Sequence, residues 1–186
     1  EGNGYTGTIA SLKPKAKPFK RVTVHLQRAV AGILLKGDVA RWKLKPPSIK
    51  NGLLYAPACD DLGGVAAAIA ALDVIKNIRG LGHVGVLLTR AEEIGFVGAI
   101  AAAKHKTIQK SSRLLCLETS RSFPESPIGA GPILRVGDKT SVFGPELTNT
   151  IANIMNKYQA WHKKFKWQRK LMPGGTCEST AFCAYG

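Results

Sequence analysis

The chain has 186 residues, 45% of them hydrophobic, and carries 27 Lys and Arg against 12 Asp and Glu, a formal charge of +15. This apolar content without any sustained low-complexity tract excludes a disordered chain and allows one substantial core with a small appendage. No apolar run reaches the roughly 20 residues of a bilayer-spanning helix, so this part of the protein is expected to be soluble.

In chain order, residues 1–50 offer three short candidate strands, 4–10, 21–26 and 33–38, broken by Pro and Gly and lacking a long amphipathic helix. They predict a small all-β module. After Pro46-Pro47 the pattern changes. Residues 52–56 form a short apolar strand leading into Asp60-Asp61, and Gly63-Gly64 opens a helix to about Asn77, with Val65, Ile69 and Leu72 at helical spacing. A strand over 84–88, a helix over 98–104 and a strand over 114–117 follow. A further strand at 132–136, a helix at 145–158 and a strand at 166–170 complete the alternation, which predicts an α/β sheet with helices on its faces. The last segment, 181–186, stops inside a helical pattern, so the chain, opening on Glu1, reads as a fragment of a longer protein.

The positive charge is regional. Residues 1–50 hold 11 of the 27 basic side chains against Glu1 and Asp38, and residues 157–170 hold six more, interleaved with Trp161, Phe165 and Trp167. Such mixing could stack bases, but it equally fits an exposed helix end running into a strand, and nucleic-acid binding is the disfavoured reading. Cys59, Cys116, Cys177 and Cys183 show no Cys-x-x-Cys spacing, and the first two lie in apolar segments. Reduced, buried thiols and a cytoplasmic setting are expected.

Chemistry concentrates in the acids. Asp60-Asp61, Glu92-Glu93 and Glu118 stand just after three apolar runs, at the strand ends where open α/β sheets place their sites. Singly, each could be a helix cap or a surface charge. Together at three successive strand ends they favour one shared crevice. Buried carboxylates need a compensating positive charge, and with few basic residues in these segments a bound metal supplies it.

The segments 58–65 (ACDDLGGV), 91–99 (AEEIGFVGA), 131–138 (GPILRVGD) and 174–178 (GGTCE) make the sequence, from about residue 37 onward, resemble the co-catalytic zinc aminopeptidases of the glutamyl-aminopeptidase, tetrahedral-aminopeptidase and cellulase-M group. The resemblance implies a zinc-peptidase-like mixed sheet flanked by helices. It assigns residues 1–50 to part of a β-barrel-like insertion that supports homo-oligomers, and 51–186 to an incomplete catalytic domain. It also implies a peptide substrate and two divalent ions, zinc by family habit, although cobalt or manganese suits such ligands equally. Asp60 would bridge the ions, Glu93 and Glu118 would each bind one, and Asp61 would orient the ligands from behind. Glu92 would be the general base, and Gly174 and Gly175 would border the substrate, unless they form a plain turn.

The family's site also uses two histidines, one shortly before the β insertion and one after the Gly-Gly-Thr region. His25, His83, His105 and His162 lack that context, so both ligands are expected outside this chain, leaving it inactive alone. Glu118 stands where Asp is common in the family, and Cys177-Glu178 where an Asp often stands. An amidase acting on N-acyl amino acids, or a catalytically silent basic interaction protein, remains an alternative on the same fold.

Overall fold

The computed structural model describes residues 4–32 and 34–186, which fall into two compact units, Glu1–Lys45 and Pro46–Gly186. The first unit is built on an antiparallel hairpin of β1 (Gly7–Lys13) and β2 (Arg21–Leu26), with Gly7 opposite Leu26, Lys13 opposite Arg21 and a register shift between Ile9 and Ser11. β1 therefore starts and ends three residues later than its apolar pattern predicts, because pairing with β2, and not propensity, sets its limits. Gln27 donates its N–H to Thr6 and Arg28 stacks over Tyr5, closing the open end of the hairpin. The expected strand at 33–38 begins at Ile33, which lies outside the described residues. Residues 34–38 make a turn in which Asp38 accepts the N–H of Leu35 at 2.8 Å. An Asx-type bond of this kind satisfies the backbone locally and leaves no ladder to extend.

The second unit is mixed α/β, with two small sheets and four helices. β3 (Ser48–Lys50) and β4 (Leu53–Tyr55) form a hairpin over Asn51-Gly52, both at positive φ as a two-residue turn of this twist requires. α1 (Cys59–Ile75) follows. Parallel β5 (Ile133–Gly137) and β6 (Gln168–Leu171) are joined through α3 (Pro145–Trp161), which starts with Pro at its first turn and buries Thr148 and Ala152. α2 (Val97–Lys104) packs on α4 (Glu178–Tyr185) through Ala99, Ala102 and Ala181, small side chains that let two short helices approach closely.

Two expected strands are absent. Residues 84–88 and 114–117 have the apolar composition of strands but join no ladder among the described residues, and Val84, Leu88, Leu115 and Leu117 are exposed. Composition makes a segment ready to pair, and only a neighbouring backbone makes it a strand. The chain accordingly exposes 15498 Å², against roughly 8,700 Å² for a compact monomer of its mass. The basic stretches are exposed as their composition suggests, with Trp161 at 86% exposure, while Trp167 is half-buried and donates to Asn156. No helix among the described residues is long and apolar enough to cross a membrane.

The loop leading into α2 folds back on Arg90, so that a Cβ on Gly98 would lie 2.6 Å from both the N and the O of Arg90. Gly98→Ala is expected to lower stability by about 1–3 kcal/mol, seen as a lower thermal midpoint, whereas Gly174→Ala, with open space around it, should change the midpoint little.

Candidate active site

Four segments of the second unit bring their acids to one cavity of about 100 Å³, lined by Asp60, Asp61, Glu92, Glu93, Cys116, Leu117, Glu118 and Glu178. Asp60 and Asp61 occupy the start of α1, but their backbones are not helical, and the peptide bond between them is cis. The regular helix begins beyond them, near the Gly63-Gly64 start expected from the sequence. Asp61 accepts the N–H of Gly64 at 3.1 Å and so caps the helix. Any side chain on Gly64 would collide with that carboxylate, which fixes glycine there.

Glu92 and Glu93 sit on a single 3-10 turn, Glu92–Ile94, between Ala91 and Phe96, both in the left-handed region. The turn separates the two neighbours: Glu92 is half-buried and Glu93 exposed. Asp60 is also exposed. Glu118 receives the one ion pair that any of these acids makes among the described residues, from Arg135 of β5 at 3.3 Å. The same guanidinium reaches the carbonyl of Thr119 at 3.4 Å.

The electrostatics follow from crowding anions around one cation. Burial pushes the Glu118 carboxyl up from 4.5 to about 7, against the pull of Arg135, and repulsion from Glu92, Asp60 and Asp61 adds to the rise. Glu92 is raised by burial and then by Glu93, Glu178, Asp60 and Asp61. Asp61 is raised by burial, with the Gly64 N–H opposing and Asp60 and Glu178 adding. Burial also pushes the Cys116 thiol up to about 11. All four cysteines are free, and Cys59 is exposed although its apolar neighbours suggest burial, because it sits at the non-helical start of α1 where nothing packs over it.

Sequence reasoning named five of the six acids and missed Glu178 as a site residue. Glu178 follows a Gly-Gly turn and opens a helix, so it lacks the apolar run that marks the other acids. Gly174 and Gly175 do not line the cavity; the Gly175 carbonyl instead accepts the N–H of Lys139 at 2.9 Å. None of the four histidines lines it either. A second cavity of about 1280 Å³ adjoins it, sharing Cys116, Leu117 and Glu118, and is walled by Leu147, Ile151 and Met155 of α3 and by Phe182 of α4.

An α/β unit with acids from separate loops gathered at one cavity is an arrangement suited to hydrolytic chemistry. The profile of the M42 glutamyl aminopeptidase family matches residues 27–186, and the chain belongs to that family. It is thereby a member of a peptidase family whose members are metal-dependent. Searches of curated proteins and of solved structures gave no match. Among the described residues no three His, Cys, Asp or Glu side chains group tightly enough to hold a metal ion. The donor chemistry nonetheless fits a cation. Six carboxylates face a small cavity with one guanidinium to balance them, and the Thr119 hydroxyl beside Glu118 is buried without a partner.

Between pH 4.5 and 7 the folded chain holds a proton on Glu118 that the unfolded chain has released, so metal-free protein is expected to lose stability as pH rises through that window. Urea unfolding at pH 5, 6 and 7.5 measures the slope, and Glu118→Gln should flatten it. A slope of opposite sign would contradict the burial of this carboxyl.

Proposed function

We propose that the chain belongs to a dinuclear metallo-aminopeptidase that removes N-terminal residues from peptides. The observation that supports this most is the convergence of acids from residues 60–61, 92–93, 118 and 178 on one cavity within a chain matched to the M42 family. Residues 1–50 would belong to an inserted β module and 51–186 to a zinc-peptidase-like catalytic domain, working in the cytoplasm as a homo-oligomer without nucleic-acid or membrane partners.

Asp60, Glu93 and Glu118 would hold two divalent ions, zinc being the leading choice. When bound, the ions polarise the peptide carbonyl and make water more acidic. Asp60 has two oxygens and can serve both ions. Asp61, tied to the Gly64 N–H, fixes the direction of the Asp60 turn from behind. Arg135 holds Glu118 in place. Glu92 lies at the cavity, and burial followed by repulsion from Glu93 raises its carboxyl above the ordinary value, which favours proton acceptance. It takes the proton of the attacking water and delivers it to the leaving amine. Gly174 and Gly175 would border the peptide only if the turn after β6 moves toward the cavity.

Asp60→Asn is expected to lose most of the metal that the unmodified protein takes up; full occupancy measured by elemental analysis would remove Asp60 from the ligand set. Glu92→Gln should retain metal while turnover falls about 100- to 10,000-fold, and Glu93→Gln should lose metal instead. Metal content and turnover measured on the same preparations separate the two, and reversed results would exchange the two roles.

A further inference from the structure

Glu178 is the acid of the cavity that the ligand and base assignments leave without a task. It is half-buried at the first turn of α4, and its Oε1 accepts the hydroxyl of Thr89, which lies three residues before Glu92. It lines the same small cavity as Asp61 and Glu92.

The turn that carries Glu178 is built to stay in place. Asp138, at the end of β5 and only 6% exposed, accepts the Cys177 N–H at 3.2 Å and the Thr180 hydroxyl through Oδ2. Through Oδ1 it accepts the N–H groups of Thr140 at 2.9 Å and Ser141 at 2.8 Å. Burial works to raise this carboxyl, but the hydrogen bonds outweigh it and hold it below its ordinary value, so it remains an acceptor. One buried carboxylate thus grips the residues on both sides of Glu178, and Thr89 fixes the side chain itself. Such double anchoring suits a group that must meet a ligand at a set position.

A peptide with a free N-terminus differs from an N-acylated one by a single feature, an α-ammonium with a pKa of about 7.7–8.0. A spare, pre-positioned carboxylate is the complement of that cation. Resting on the aminopeptidase reading, we infer that Glu178 is a specificity-determining residue that receives the α-ammonium of the substrate, with Thr89 positioning it.

The test uses zinc-supplied protein and a panel of L-amino alcohols, which cannot be hydrolysed, each titrated calorimetrically beside its N-acetyl counterpart. The unmodified protein is expected to prefer the free amines. Glu178→Gln should weaken amine binding by about 10- to 100-fold, leave the acetylated ligands unchanged and keep its metal, while Glu178→Asp retains part of the preference. Thr89→Val should shift the preference in the same direction by less. A preference that survives in Glu178→Gln, or is absent from the unmodified protein, overturns the inference, and loss of metal in Glu178→Gln makes the residue a ligand and overturns it too. Hydrolysis of aminoacyl and N-acyl anilides by the unmodified protein judges the aminopeptidase reading separately. Aminoacyl cleavage with an unaltered preference in Glu178→Gln defeats only the Glu178 assignment, whereas cleavage of N-acyl substrates alone defeats both.

Discussion

Six carboxylates around a cavity of about 100 Å³, balanced by the guanidinium of Arg135, set the terms for the rest of the second unit. Such a gathering is unfavourable in itself: burial and mutual repulsion raise Asp61, Glu92 and Glu118 together. The backbone tolerates it because five of the six acids, all but Asp60, are held in place by local structure. Asp61 is held by the helix N–H it caps, Glu92 and Glu93 by a 3-10 turn bracketed by left-handed residues, Glu118 by Arg135, and Glu178 by Thr89. These anchors resist the outward push of like charges.

The scaffold behind these anchors is the β5–α3–β6 crossover. β5 carries Arg135, which pairs with Glu118, and Asp138 follows the strand directly, so one short stretch supplies both the counter-charge for Glu118 and the clamp for the turn bearing Glu178. α2 and α4, packed through alanines, carry the Glu92-Glu93 turn and Glu178 at their N-terminal ends. Close helix contact therefore helps to set the shape of the cavity: widening it would separate the acids carried near the starts of the two helices.

Much of this was legible in the sequence, and what was not has a physical reason. The periodicities of 63–77, 98–104 and 145–158 gave three helices close to where they form, because apolar spacing and a proline start are local signals. Five acids were found because each follows an apolar run. Glu178 opens a helix instead, and the roles of Thr89, Asp138 and Arg135 arise from contacts across 89, 39 and 17 positions that no local pattern encodes. Residues 84–88 and 114–117 show the reverse failure, since a strand is a relation between two backbones and only one of the two can be read from a single apolar segment.

Those two unladdered segments carry a consequence for the chain in solution. Their backbone N–H and C=O groups have no partner strand, their Val and Leu side chains face outward, and neither holds a charged residue or a proline to discourage pairing. A segment of this kind is a template for its own copy, and two chains can complete by mutual addition the ladders that neither completes alone. Left uncovered during synthesis or storage, these stretches would steer the protein toward cross-β association, so a charged or proline substitution on the outward face of residues 84–88, away from the acid cavity, would act as a solubility gatekeeper.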